Sequence, residues 1–256
     1  MGVAAISYDS GEVLRSFSTR MGGIHFPLLS DSGSAIIRAF GIFNDNIPKD
    51  DEVYGICFPG TYIVDENGVV RAKYFEGQYR QRYTPNNILV HEFDAEGGKR
   101  IEVKTDHLTV EAYPSEDTAS RGNRITMVVV LRLPPKMHVY APGVEGYRPV
   151  SLEVEANPML LAHDTEFPQA KTVHLDAIGE TVPVYEGEVR ILKDVTISPR
   201  LRAETVRISM TLSYQACDDK VCYIPAKVPL SVELELAPHD ETRVPEELQR
   251  KSPPKR

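Results

Sequence analysis

The first third of the chain alternates short apolar runs with stretches of helical periodicity. Residues 3–7 form an apolar run typical of a buried strand, and Ser10 can cap a helix over residues 11–20. A second unit follows, in which residues 26–29 precede a helix whose apolar face ends at Gly41. This alternation of strand and helix predicts an α/β domain.

A β-hairpin is predicted to close this first region. Residues 61–64 and 69–74 are rich in β-branched and aromatic side chains, and the turn between them contains Asn67 and Gly68. An Asn-Gly pair readily adopts the positive φ angles of a tight hairpin turn. The α/β pattern therefore ends in two antiparallel strands.

After residue 94 the pattern changes, and the next region is predicted to be all β. It contains no amphipathic helix of three turns before the tail. Its six β-prone runs are separated by Pro, Gly, Asn and Asp, and they are residues 106–113, 124–133, 150–155, 187–192, 205–215 and 227–236. Such spacing is typical of a β-sandwich.

These changes predict two domains. An α/β domain occupies residues 1–94, a polar, glycine-containing linker occupies residues 95–105, and an all-β domain occupies residues 106–237. Residues 238–256 are charged and proline-rich, so we expect a disordered tail.

Composition and charge exclude several classes of protein. Hydrophobic residues make up 41% and charged residues 26% of the 256 residues, which excludes collagen-like and wholly disordered chains. The net charge of -8 argues against a nucleic acid as partner. The most apolar stretch, residues 127–133, is far shorter than the roughly 20 residues that cross a bilayer, so no membrane span is predicted. Neither a GxGxxG nor a Walker loop occurs, and we predict no cofactor.

The strongest candidates for chemistry are Cys217 and Cys222. They flank a four-residue polar loop where residues 205–215 and 223–236 should form a hairpin. Cross-strand neighbours have Cα atoms about 4.5–5.5 Å apart, at the short end of what a disulfide accepts. We therefore expect a bridge that is readily reduced and that stabilises the fold little, because the loop it closes is short.

Other interpretations of this pair stay open. One is a purely structural disulfide in an extracytoplasmic protein. A metal site is not predicted, because zinc takes about four ligands and no other Cys or His lies within fifteen residues of Cys222. If the pair is a redox site, we expect a Cys222→Ser variant to cross-link to partners through Cys217.

The residues around the pair resemble a known family. Segments 214–217 (Tyr-Gln-Ala-Cys) and 222–225 (Cys-Tyr-Ile-Pro), with the upstream segment 135–142, are similar to the N-terminal periplasmic domain of thiol:disulfide interchange protein DsbD. The resemblance covers roughly residues 99–237. It implies an immunoglobulin-like β-sandwich whose cysteines accept electrons from one thioredoxin-like partner and pass them to another. It also implies that Tyr140 lies beside the pair, with a core or edge position as the alternative.

The first region resembles the peroxiredoxin family, which is the AhpC/TSA or redoxin group. Segments 6–10, 26–31, 41–42 and 59–70 match that family in order and spacing. The resemblance implies a thioredoxin-like fold, in which a proline with a cis peptide bond precedes the last hairpin. Pro59 is the candidate for it.

Peroxiredoxin chemistry depends on a cysteine in a Pro-x-x-x-Thr/Ser-x-x-Cys motif, and this sequence contains no such motif. We therefore expect an incomplete thioredoxin-like domain from an N-terminally truncated chain, with a gap in its sheet and exposed apolar faces. Cys57 lies in a loop that enters a strand, not at a helix N-terminus. It is expected to be either a small residue packed beneath Pro59 or a resolving or accessory thiol.

Together the two resemblances imply a thiol-disulfide oxidoreductase and antioxidant protein. Cys217 and Cys222 are the expected catalytic pair, their partners are thioredoxin-like proteins, and the redoxin domain of a full-length form would reduce peroxide. The expected location is the bacterial periplasm or another extracytoplasmic space, although this chain carries no signal peptide. The alternative is a non-catalytic immunoglobulin-like binding module with a structural disulfide.

Overall fold

A computed structural model of the chain describes residues 2–76, 81–175, 179–238 and 245–248. The chain divides into two compact units, one that includes Met1–Tyr79 and one formed by Arg80–His239. None of the helices in the described ranges is long and apolar enough to span a bilayer. Most of the predicted tail lies outside the described residues, apart from a 3₁₀ turn at Glu246–Leu248.

The first unit alternates strands and helices before a hairpin. Its elements are β1 (Ala5–Ser7), α1 (Gly11–Arg20), β2 (Leu28–Ser30), α2 (Ala35–Ala39), β3 (Gly60–Val64) and β4 (Val70–Phe75). Strands β1 and β2 are parallel, and β3 and β4 are antiparallel. Gly68 has a φ of 77°, as the predicted Asn-Gly turn requires. The predicted α/β class and its closing hairpin are confirmed.

Local hydrogen bonds start both helices of this unit. The Ser10 side chain accepts a hydrogen bond from the Val13 N–H and caps α1, which spans the predicted residues. Before α2, the Asp31 carboxylate accepts hydrogen bonds of 2.9 Å from the N–H groups of Ala35 and Ile37. The Ile37 N–H contributes most to lowering the pKa of Asp31. Each helix therefore begins with hydrogen bonds from its first N–H groups to a side chain that lies just before it in the sequence.

The prediction that residues 3–7 are buried was wrong. Ile6 in β1 is 41% exposed and Leu29 in β2 is 45% exposed. Within the described residues, β1–β2 and β3–β4 form two separate two-stranded sheets, so no third strand extends either pair. A two-stranded sheet cannot bury both of its faces. The expected gap in the sheet and the expected exposure of apolar side chains agree with this arrangement.

The second unit is rich in β-strands and carries one helix. Its elements are β5 (Arg82–Tyr83), α3 (Pro85–Phe93), β6 (Ile101–Lys104), β7 (Thr109–Pro114), β8 (Thr118–Ala119), β9 (Asn123–Arg132), β10 (His138–Tyr140), β11 (Ser151–Val154), β12 (Leu160–Glu166), β13 (Lys171–Leu175), β14 (Glu180–Glu186), β15 (Glu188–Ile197), β16 (Thr205–Tyr214), β17 (Ala216–Cys217) and β18 (Ala226–Leu236). All six predicted β-prone runs contain strands.

The described residues of this unit form three sheets. The main sheet has the strand order β12-β15-β9-β7-β6, with β5 paired to β9. The second sheet has the order β11-β16-β18-β8, and the site sheet has the order β13-β14-β10-β17. This arrangement confirms the predicted β-sandwich that follows a short α/β part.

The core lies between the main and second sheets, where apolar residues alternate along each strand. On β16, Ile208, Met210 and Leu212 are at most 1% exposed, as their period of two predicts. They belong to one cluster with Val129 of the main sheet and Val139 of the site sheet. Each fully buried aliphatic side chain stabilises the fold by roughly 1.5–3 kcal/mol relative to an exposed one.

A buried polar network fixes α3 on the main sheet. The Asn87 side-chain amide donates to Thr126 Oγ1 (2.8 Å) and to Asp194 Oδ1 (3.0 Å), and the Thr126 hydroxyl donates to the same carboxylate oxygen (2.8 Å). His91 Nε2 lies 3.0 Å from Asp194 Oδ1. Burial alone would raise the pKa of Asp194, but the hydrogen bonds from His91, Thr126 and Asn87 outweigh it and lower that pKa. Asp194 thus joins the helix to two strands.

Replacement of Asp194 by alanine is expected to destabilise the protein by about 3 kcal/mol, because Asn87 and Thr126 lose a buried acceptor. Urea unfolding followed by circular dichroism measures the change. Asp164→Ala, at an exposed position of β12, is the matched control and is expected to change stability by less than about 0.5 kcal/mol. Equal losses for the two variants would contradict the importance of the network.

His91 is expected to make stability depend on pH. Burial lowers the pKa of His91, but Asp194 and Glu166 outweigh it, so the folded value lies above the ordinary 6.5. A raised pKa contributes stability that is complete below the unfolded value and is lost as the pH rises through the folded value. The stability difference between the native chain and His91→Ala should therefore be larger at about pH 6 than at about pH 9. Urea unfolding at both pH values tests this, and a pH-independent difference would contradict it.

Candidate functional site

The chain passes from the second sheet to the site sheet just before the cysteine pair. Strand β16 pairs with β18, whereas β17 pairs with β10, so that Ala216 lies opposite Val139 and Cys217 lies opposite His138. A backbone hydrogen bond joins the two sides of the turn, in which the Tyr223 N–H donates to the Ala216 carbonyl oxygen at 2.9 Å. The predicted hairpin strands are confirmed, and the cysteines flank its turn.

Cys217 and Cys222 form a disulfide with a Cα–Cα distance of 4.0 Å. Cys217 is 1% exposed and packs with Val182 and Val184, whereas Cys222 is exposed in the turn. This burial argues against the expectation that a partner reaches Cys217, which stays a prediction. The accessible sulfur belongs to Cys222, because β17 holds Cys217 inside the site sheet.

Asp218 organises the turn between the two cysteines. One carboxylate oxygen accepts hydrogen bonds of 2.8 Å from the N–H groups of Lys220 and Val221, and the other accepts one of 2.7 Å from the Tyr223 hydroxyl. The Val221 N–H contributes most to lowering the pKa of Asp218 to about 2, followed by the Tyr223 hydroxyl and the Lys220 N–H. The turn is thus held by a carboxylate that stays ionised near neutral pH.

Tyr140 lies beside the exposed sulfur. Its hydroxyl oxygen is 3.4 Å from Cys222 Sγ and, because a disulfide sulfur carries no hydrogen, the hydroxyl is the donor. Burial raises the pKa of Tyr140. The Tyr147 ring stacks on the Tyr140 ring with centroids 4.3 Å apart, and the Tyr147 hydroxyl donates to Glu180, which raises the pKa of Tyr147 to about 12. Stacking on Tyr147 therefore supports the Tyr140 ring, whose hydroxyl contacts the disulfide.

His138 is a site residue to which the sequence analysis gave no role. It is 5% exposed, and its ring meets the Tyr140 ring edge-on at 5.6 Å. Its Nε2 atom is buried and has no hydrogen-bond partner among the described residues. Burial lowers the pKa of His138, and Glu186 and Asp218 only partly oppose this effect. The signal in the sequence was its spacing of two from Tyr140, which places both side chains on one face of a strand.

Two large aliphatic side chains are exposed next to Cys222. Val221 is 53% exposed and Ile224 is 88% exposed, on either side of the exposed cysteine. Large exposed aliphatic side chains that flank a reactive atom are typical of a surface that contacts another protein. Among the described residues, no group of three His, Cys, Asp or Glu side chains lies close enough to hold a metal ion.

Cys57 and Pro59 lie in the first unit. Cys57 is half-buried, forms an isolated antiparallel bridge with Phe43, and takes no part in the disulfide. No peptide bond among the described residues is cis, so the prediction of a cis bond before Pro59 was wrong. The trans form of a bond before proline is intrinsically favoured by about 0.5–1 kcal/mol, and a cis bond persists only where tertiary contacts select it.

Comparison with known families identifies both parts of the chain. Residues 1–73 match the sequence profile of the AhpC/TSA family, and residues 107–233 match that of thiol:disulfide interchange protein DsbD, N-terminal. The chain contains an AhpC/TSA region and a DsbD N-terminal domain. The second match includes both cysteines of the disulfide as well as His138 and Tyr140. A search of curated proteins finds no match.

The chain is similar to several solved structures. The N-terminal periplasmic domain of ScsB from Proteus mirabilis is 20% identical with a TM-score of 0.41, and the match covers 54% of this chain and 53% of that one. The chain thus spans about half the length of that structure. The DsbD N-terminal domain of Neisseria meningitidis in the reduced form is 16% identical with a TM-score of 0.32, covering 43% and 77%. The yeast GGA1 GAE domain is 10% identical with a TM-score of 0.31, covering 51% and 95%.

Replacement of Asp218 by alanine is expected to make the disulfide several-fold faster to reduce with dithiothreitol. The turn loses three hydrogen bonds, so the two thiols are held together less well and Cys222 becomes more accessible. Timed alkylation and mass spectrometry measure the rate. Asp219→Ala is the matched control, because the Asp219 carboxylate is exposed and lies 3.6 Å from the Lys136 ammonium. Equal rates for the two variants would contradict the role of Asp218.

Proposed function

We propose that this protein is a thiol-disulfide oxidoreductase whose Cys217–Cys222 disulfide exchanges electrons with a thioredoxin-like partner. The observation that carries the proposal is the unequal exposure of the two sulfurs, since Cys217 is buried and Cys222 is exposed. A disulfide of this kind can be attacked at one sulfur only. The presence of an AhpC/TSA region and a DsbD N-terminal domain suggests thiol-disulfide redox function independently.

Reduction begins at Cys222. A thiolate of the partner attacks Cys222 Sγ in line with the S–S bond, a mixed disulfide forms, and Cys217 leaves as a thiolate. The second thiolate of the partner then attacks the partner's first sulfur in the mixed disulfide, and Cys222 is released as a thiolate. The partner dithiol becomes a disulfide, and this protein gains two electrons and two protons. The Tyr140 hydroxyl stabilises the Cys222 sulfur as it leaves with negative charge.

The apolar side chains beside Cys222 are the contact surface for that partner. Val221 and Ile224 present aliphatic groups next to the sulfur that must be reached. Burial of these groups against the partner would orient its thiolate toward Cys222 Sγ and exclude water from the exchange.

The AhpC/TSA region supports an antioxidant role. In a form that carries the Pro-x-x-x-Thr/Ser-x-x-Cys motif, the redoxin domain would reduce peroxide and the DsbD-like domain would exchange electrons with it. Cys57 would then serve as an accessory thiol. A disulfide between Cys217 and Cys222 fits an oxidising compartment, so the proposed location is extracytoplasmic, in the bacterial periplasm.

The alternative function is a non-catalytic binding module with a structural disulfide. The observation that favours it is the tight hold of Asp218 on the turn. The reduction potential separates the two functions, because structural disulfides lie below about -300 mV and exchanging ones lie higher. Equilibration with glutathione or dithiothreitol buffers measures it.

Trapping of the mixed disulfide tests the proposed function. In a Cys57→Ser background, Cys217→Ser is first treated with dithiobis(nitrobenzoate), so that Cys222 carries thionitrobenzoate as a mixed disulfide. A thioredoxin that has lost its second active-site cysteine is then expected to displace thionitrobenzoate and to form a stable mixed disulfide with Cys222. Cys222→Ser, treated in the same way, is expected to react much more slowly because Cys217 is buried. Non-reducing electrophoresis and peptide mass spectrometry detect the product. Equal trapping of both variants, or trapping of neither, would contradict the proposal.

A further inference from the structure

The buried sulfur of the disulfide has no direct route to solvent. Cys217 is 1% exposed, yet it must gain a proton when the disulfide is reduced and lose one when the disulfide reforms. A titratable side chain next to Cys217 can exchange this proton with the sulfur. The titratable groups that face this end of the site sheet are His138 and Tyr140 on β10, Glu186 on β14, and Asp218 beyond β17.

His138 is the group placed to carry this proton. It lies directly opposite Cys217 in the antiparallel pair of β10 and β17, so the two side chains project from the same face and are neighbours. The Tyr140 hydroxyl instead contacts Cys222. The Asp218 carboxylate already accepts three hydrogen bonds, and Glu186 lies on the far side of β10 from Cys217.

In the oxidised protein, the hydrogen-bonding capacity of the His138 ring is not fully used. Its Nε2 atom is buried without a hydrogen-bond partner among the described residues, although a buried polar atom normally finds one. A disulfide sulfur offers no hydrogen, whereas a thiol at Cys217 would offer an S–H group to the imidazole. The imidazole that burial keeps neutral has the lone pair to accept it.

We propose that His138 exchanges a proton with Cys217 each time the disulfide opens and closes. This inference rests on the proposed thiol-disulfide exchange. During closure, the partner is bound to Cys222 as a mixed disulfide, and the imidazole takes the proton from the Cys217 thiol. The Cys217 thiolate attacks Cys222 Sγ, the S–S bond of this protein forms, and the partner leaves as a thiolate. After closure, the imidazolium passes its proton to the departing thiolate of the partner. In the reverse reaction, the imidazole takes the proton that the attacking thiol of the partner releases, and it delivers this proton to the Cys217 thiolate as that thiolate leaves.

The same contact favours the reduced protein. The imidazole gains its hydrogen bond only when Cys217 is a thiol, so replacing His138 by phenylalanine should shift the equilibrium toward the disulfide. We expect a shift of about tenfold in the equilibrium constant with glutathione, which for a two-electron couple is a potential about 30 mV more negative.

The experiment compares the full chain carrying His138→Phe, His138→Gln or the control His174→Gln. His174 is an exposed histidine on β13 in the same sheet. Alkylation and mass spectrometry give both the equilibrium constant in glutathione buffers and the rate at which the reduced protein closes its disulfide with oxidised glutathione between about pH 6 and pH 9. Glutathione replaces the thioredoxin-like partner, so a failure here is distinguishable from failure of the trapping experiment.

Expected results separate proton transfer from hydrogen bonding. His138→Phe should show the tenfold shift and slow closure below about pH 7.5, where thiols remain protonated without a base. His138→Gln should recover most of the equilibrium shift, because an amide can hydrogen-bond to a thiol, but it should keep the slow closure. His174→Gln should match the native chain in both measurements.

Two outcomes would overturn the proposal. One is an unchanged pH profile of closure in His138→Gln, which would leave His138 as a structural residue. The other is a native rate and equilibrium in His138→Phe. If His138→Phe does not fold, the pH profile of His138→Gln decides the question alone.

Discussion

Strand β17 leaves the sheet that holds β16 and pairs with β10, and the chemistry of the site depends on this change of sheet. The short ladder places Cys217 opposite His138 and Ala216 opposite Val139. Because side chains alternate along a strand, Ala216 and Val139 enter the main core while Cys217 faces the opposite side. The disulfide is therefore anchored to the core through its neighbours and not through its own sulfurs.

The two ends of the disulfide have different surroundings for the same reason. Cys217 inherits the burial of its strand, whereas Cys222 lies in a turn whose backbone N–H groups are satisfied by Asp218. Tyr140 shares a strand face with His138. The Tyr140 hydroxyl contacts Cys222, and His138 lies opposite Cys217 in the strand pair. A structural disulfide does not require its two sulfurs to differ in exposure. An exchanging disulfide requires one sulfur that is attacked and another that leaves.

Among the described residues of the first unit, each strand pair forms a sheet without a third strand. Its helix caps and its Asn-Gly turn are those of a regular α/β protein, and Ser10 and Asp31 start their helices as local sequence prescribes. The strands of β1–β2 nevertheless leave Ile6 and Leu29 exposed, because burial requires layers on both faces of a sheet. In the second unit, the buried carboxylate of Asp194 fixes α3 to two strands. Local sequence does not predict these contacts, because the residues involved are distant in the chain.

The sequence by itself determined the features that depend on near neighbours. The period of two on β16, the turn residues between β3 and β4, and the two cysteines around a four-residue loop all follow from local patterns. It missed α3, whose signals were the Thr84 cap and Pro85 at the first helical position, because nine residues are too few for a clear apolar period. Short strands such as β10 and half-exposed ones such as β13 were missed because three to five residues carry little alternation. Only the tertiary structure decided that Cys222 is the exposed sulfur and that His138 faces Cys217, because both facts arise from pairing between strands that are distant in the sequence.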